Sequence, residues 1–134
     1  TFYDDKKGLY KANDGKKVFY SVLGNSFAIL SGVADKKLVE NILKSKDIVP
    51  VTLAMSIFFY DALLAADKKY AKFIIDDIDE RYGRMLQKGA TTFWETEEGA
   101  SSLTNTGSLC HGWSATPIYY YSILNSEEYF NGEL

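Results

Sequence analysis

Two short runs hold the residues of this 134-residue chain best suited to chemistry. One is Gly-Ala-Thr-Thr-Phe-Trp-Glu-Thr, Gly89 to Thr96; the other is Ser-Leu-Cys-His-Gly-Trp-Ser-Ala-Thr-Pro, Ser108 to Pro117. In the first, the carboxylate of Glu95 directly follows the indole of Trp94. In the second, the single histidine, His111, stands just before the other tryptophan, Trp113. A carboxylate flanked by flat apolar rings suits a site that cleaves sugars. The carboxyl group moves a proton at the glycosidic oxygen or at the attacking water, and the rings receive the C–H face of a pyranose. The plainer reading is that both indoles are core and Glu95 caps a helix, because aromatic side chains are commonly buried. Spacing alone does not separate the two.

Composition narrows the setting. Apolar residues make up 46% of the chain and charged residues 25%, which is globular rather than disordered. The length allows at most one domain. A net charge of −3 with lysines and acids interspersed gives nucleic-acid binding no electrostatic support. The longest apolar stretch, Val51 to Ala66, is broken by Ser56 and Asp61 and does not read as a membrane span. A single cysteine, Cys110, excludes an internal disulfide and reads as a small core residue; it leaves the compartment open. The sequence opens at Thr1 without a methionine or a signal-like apolar run, so an upstream segment is expected.

Periodicity supplies the elements that must position the two runs. It predicts helices over about 18–33, 36–44, 50–66, 68–87 and 108–125. Asp35 is placed as the N-cap of the second, and Pro50 at the start of the third. Pro117 is expected to kink or restart the fifth. The first, third and fifth are apolar nearly all round. The second has the narrow stripe Leu38, Val39, Ile42, Leu43, and the fourth the stripe Tyr70, Phe73, Ile74, Ile78, Met85. On the fourth, Asp77→Arg81 and Glu80→Arg84 form i,i+4 pairs on the wet face, and the acidic run from Asp76 to Glu80 reads as solvated surface. Alternation of all-round and single-stripe helices is what inner and outer helices of a concentric, antiparallel arrangement show; it equally permits a five-helix bundle. Residues 88–107 form a long polar loop, and loops of that length are usually functional or disordered. The first seventeen residues, with the turn signal Asn13-Asp14-Gly15, read as a short hairpin or an extended loop.

Residues 89–95 with 108–117 resemble the C-terminal part of the catalytic domain of bacterial α-L-rhamnosidases and their six-hairpin glycosidase relatives. Phe2-Tyr3-Asp4, Gly8-Leu9-Tyr10, Tyr20-Ser21, Asn25 and Phe59-Tyr60-x-Ala62-Leu63 extend the resemblance over nearly the whole chain. It implies an all-α fold, part of an (α/α)6 toroid with about five helices in inner–outer antiparallel hairpins. The implied activity is inverting hydrolysis of a terminal α-L-rhamnosyl or similar linkage, with carbohydrate as substrate and without metal or cofactor. On this resemblance Glu95 matches the general base, Trp94 and Trp113 the walls of the sugar site, and His111 a contact to a ring hydroxyl. The family's acidic cluster has no counterpart in residues 1–88, and a six-hairpin toroid needs twelve helices. Residues 1–134 are therefore expected to be the C-terminal portion of a longer catalytic domain, inactive alone, docked to its remainder or self-associated. Leu23 departs from the family pattern, standing where many relatives have histidine.

Two rival readings accompany this one. Cys110-His111-Gly112 resembles a zinc-ligand pair of the lanthionine synthetase cyclases, another α/α toroid family, but zinc needs at least three protein ligands and the chain has no second cysteine. The other is a non-catalytic sugar-binding or assembly module on the same helices. The bland reading of Asn25 is a buried hydrogen-bonding residue.

Overall fold

The computed structural model describes residues 2–124. The chain is predominantly helical, with two pairs of two-residue strands, in keeping with an all-α class. It divides into two compact units, residues 2–51 with 55–69 and residues 52–54 with 70–124. Asn125, the last residue expected in the fifth helix, lies outside the described residues.

The first unit opens with the hairpin β1 (Tyr3–Asp4) and β2 (Leu9–Tyr10). Asp4 fastens its turn: Oδ1 accepts from the N–H groups of Lys6 and Lys7, and Oδ2 from the Tyr20 hydroxyl at 2.6 Å. Gly8 closes the turn at φ 64°, where glycine avoids the clash other residues meet; a Cβ there would also lie 2.6 Å from Asn41 Nδ2. The Asn13–Gly15 signal marks a second reversal, in which Asn13 bridges the Lys17 carbonyl and the Phe19 N–H.

The first helix is shorter than its periodicity predicts. Tyr20–Ser21 form β3, parallel to β4 (Ile48–Val49), and Ser21 Oγ accepts from Gly24 N–H to cap α1 (Val22–Leu30). Val18, Phe19 and Tyr20 suit strand as well as helix, so apolar pattern alone does not find this boundary. Asp35 accepts from Lys37 N–H at 2.7 Å, two residues ahead of the cap position at Lys37, and α2 follows (Leu38–Lys44). Pro50 ends β4 rather than opening a helix, because a residue before proline is driven to extended backbone and Val49 favours that state. The third helix, α3, therefore spans Ser56–Ala66.

α1 packs chiefly on α3, with Phe27 and Phe58 4.7 Å apart between ring centres, and α2 packs on both. Asn25, fully buried, ties α1 to the hairpin. Its Oδ1 accepts from Tyr10 N–H at 2.8 Å, and its Nδ2 donates to the Tyr10 and Ser21 carbonyls. The side chain pairs Tyr10 as a neighbouring strand would, which bears out the bland reading.

The second unit contains α4 (Ala71–Gln87), the single turn α5 (Ser102–Asn105) and α6 (Thr116–Leu124). The buried stripe of α4 is Ala71, Ile74, Ile78, Tyr82 and Met85; Phe73, expected on it, is exposed. α6 starts eight residues later than expected; after a single helical turn at Gly112–Ser114 the helix restarts at Thr116, the second of the two expected alternatives, with Pro117 in its first turn, where its missing N–H is harmless. α4 and α6 pack together, and the Tyr82 hydroxyl donates to the Ser114 carbonyl at 2.6 Å ahead of α6.

Burial follows the expected alternation in three helices and departs from it in two. α2 and α4 each bury one stripe, and α3 is covered nearly all round. α1 and α6 were expected to be buried on most sides, yet Phe27, Leu30, Ile118 and Tyr119 are exposed. Among the described residues no helix is long and apolar enough to cross a membrane.

Candidate functional site

The two sequence runs meet in the second unit. His111 N–H donates to the Phe93 carbonyl at 2.7 Å, Glu95 N–H donates to the Ser108 carbonyl at 2.9 Å, and the Thr92 hydroxyl donates to the Leu109 carbonyl. Residues 92–95 thus run against 108–111 in opposite directions, and the arm carrying Trp94 and Glu95 lies beside the arm carrying His111 and Trp113.

Each candidate residue has a distinct setting. Glu95 is partly buried; its Oε2 accepts from Ser108 N–H at 3.1 Å, while Oε1 has no hydrogen-bond partner among the described residues. Trp94 is partly buried with its ring over Gly99. A Cβ at Gly99 would come within 2.8 Å of that ring, and φ there is 65°, so both close approach and backbone call for glycine. Trp113 is 76% exposed, with the His111 ring edge-on at 6.2 Å between centres. Cys110, expected in the core, is exposed: the paired strand-like arm turns it to solvent. No group of three metal-binding side chains occurs among the described residues.

The intervening loop is clamped to α4 by residues that the pattern reading assigned otherwise. Glu97 accepts from Arg81 Nε at 2.8 Å, from Arg84 Nε at 3.0 Å and from the Arg84 terminal nitrogen. The side chain of Arg81 is only 12% exposed, so Arg81 is not on a wet face, although its i,i+4 partner Asp77 lies 3.7 Å away. Burial pushes the Glu97 carboxyl up, but hydrogen bonds from Arg84 and Arg81 outweigh it and hold Glu97 below the usual glutamate range. The signal was present: two arginines one turn apart on a half-buried helix present forked donors that need a carboxylate.

Beyond the clamp, Leu103, Thr104 and Asn105 take φ of 49°, 60° and 66°. Three consecutive left-handed residues that are not glycine store strain, most of all at β-branched Thr104. Elsewhere in this unit the Thr96 and Ser114 hydroxyls are buried without hydrogen-bond partners among the described residues. Strain and orphaned polar atoms are features that concentrate where a chain is built to meet a ligand or partner.

A cavity of about 370 Å³ also opens in this unit, between α4, residues 90–93 and α6. None of Trp94, Glu95, His111 and Trp113 lines it. No protein family, curated protein or solved structure matches the chain. The resemblance therefore rests on the residues of this chain alone.

Proposed function

We propose that this chain forms part of an inverting glycoside hydrolase that removes terminal α-L-rhamnosyl or similar residues. In this reading its helices are a portion of an (α/α)6 toroid, and the general acid is supplied by the rest of that toroid. The observation that supports the reading is the pairing of 92–95 with 108–111, which joins the arm of a half-committed carboxylate to the arm that carries an imidazole and leads to an exposed indole. Glu95 keeps one oxygen on Ser108 N–H, which fixes the carboxylate, and leaves the other to hold a water. In an inverting reaction that water loses a proton to the base as its oxygen attacks the anomeric carbon; the acid protonates the leaving oxygen as the glycosidic bond breaks. Trp113 offers an open ring face for the sugar, and His111 a donor or acceptor for a ring hydroxyl.

In an enzyme containing this chain, Glu95→Gln is expected to lower kcat on an aryl α-L-rhamnoside at least about a hundredfold, the range for loss of a general base. A rate within a few-fold of wild type would overturn the assignment. The bond from Ser108 N–H to Glu95 favours a second reading, a sugar-binding module in which Glu95 only braces the two arms. Under it, the Glu95→Gln chain still binds L-rhamnose, Trp113→Ala does not, and the parent protein hydrolyses nothing.

A further inference from the structure

We propose that the cavity between α4 and α6 is a binding site for a one- or two-ring aromatic molecule carrying a hydroxyl group. The proposal does not rest on the glycosidase reading, since none of Trp94, Glu95, Ser108, His111 and Trp113 lines this space. Its walls are largely apolar, with Ile78, Met85 and Leu86 from α4, Phe93 from the neighbouring arm and Pro117 from α6, while Thr91 and Thr92 also line it. At about 370 Å³ the volume falls within the roughly 300–1,000 Å³ of small-molecule pockets, and an apolar cavity of about 150 Å³ already holds benzene. Aromatic and thioether walls favour a ring over an aliphatic chain: Phe93 and Tyr82 meet edge-on at 6.0 Å, and Met85 offers a polarisable sulfur.

Two further features point to a ligand. Gly83 sits in the interior of α4 and lines the cavity. Its backbone is ordinary for a helix, and a Cβ added there meets nothing within 4 Å. An interior helical glycine weakens the helix, and neither backbone geometry nor close packing requires this one. What its missing side chain supplies is room. The second feature is polar. Asp79 and Tyr121 both line the cavity, the Tyr121 hydroxyl donates to Asp79 Oδ1, and Oδ2 has no hydrogen-bond partner among the described residues. The exposed Asp79 carboxylate, with the hydroxyls of Thr91 and Thr92 also lining the cavity, gives a ligand hydroxyl a place to donate, as a phenol would.

The test titrates the 134-residue chain with 2-naphthol, followed by backbone amide resonances. Saturable shifts are expected at Tyr82, Gly83, Phe93 and Tyr121. Gly83→Leu, which fills the cavity, should weaken binding at least tenfold while the helical circular dichroism is kept. If Gly83→Leu fails to fold, Gly83→Ala carries the comparison, with a loss of several-fold. Probing with 2-methoxynaphthalene, which has no donor, should give binding several-fold weaker than 2-naphthol, a gap that Asp79→Ala closes. Shifts confined to other residues, or unchanged affinity in the folded Gly83 variants, would overturn the site. Equal binding of the two probes would overturn the hydroxyl class.

Discussion

At the scale of single residues, Asn25 has the best-defined role. It pairs three backbone groups with one buried amide, so removing it takes a hydrogen bond from each of these partly buried groups. Asn25→Ala is expected to cost about 2–4 kcal/mol, from one to three unsatisfied groups, read as a lower urea midpoint at unchanged slope. Asn25→Asp should be no better, because it keeps the acceptor, loses both donors and buries a charge. Thr104 is the opposite case. Its φ of 60° opposes a β-branched side chain, so Thr104→Gly is expected to stabilise the protein by about 1 kcal/mol. A fall in stability would show that the left-handed turn is held by contacts of the threonine itself.

Among the elements, the loop that carries Glu95 is ordered by charge more than by apolar burial. The Arg81–Glu97–Arg84 clamp ties its middle to α4, and Lys88 Nζ adds a bond to the Glu97 carbonyl at 2.7 Å. Glu97 titrates below its ordinary value when folded. Its contribution is therefore complete above the unfolded glutamate pKa of about 4.3 and is lost as pH falls through the lower folded value. Melting temperature is expected to fall from pH 5 to pH 3 less steeply in Glu97→Gln than in wild type. Parallel curves would deny the clamp an energetic role. The effect is modest, since solvent reaches the pair and screens it. At the alkaline end the sign reverses. Burial, and then the bond to Asp79, push the Tyr121 hydroxyl up to about 12. Its contribution is present below the unfolded value near 10 and lost as pH rises through about 12. Tyr121→Phe should flatten the stability profile between pH 10 and 12, and absorbance titration should lose one late phenol.

On the whole molecule, the notable feature is where apolar side chains meet solvent. Phe27 and Leu30 on α1, and Ile118 and Tyr119 on α6, are open although each helix reads as apolar on most sides. Large exposed apolar surface marks a face that docks on something. The 134-residue chain is expected to self-associate at micromolar concentration in sedimentation, with Phe27→Ser or Ile118→Ser shifting it toward monomer. It is also expected to show no rhamnosidase activity by itself, since Glu95 has no acid partner proposed within these residues. A monomeric wild-type chain that hydrolysed a rhamnoside would refute both expectations.

The sequence by itself determined the helical class, the single stripes of α2 and α4, the all-round burial of α3 and the two arms worth attention. These rest on periodicity and residue type, which act locally and are visible in one dimension. It misplaced the starts of α1 and α3 because β3 pairs with β4 across a long stretch of chain, and that of α6 because residues 108–111 pair with 92–95; no local pattern reports a distant partner. The expected wet face of α4 failed at Arg81 for the same reason: Glu97, sixteen residues on, returns to claim it. The tertiary structure alone decided that the arms pair, that Cys110 faces out, and that Gly83 opens a cavity. Each is a contact between residues far apart in sequence, whose energy exists only once the chain has brought them together.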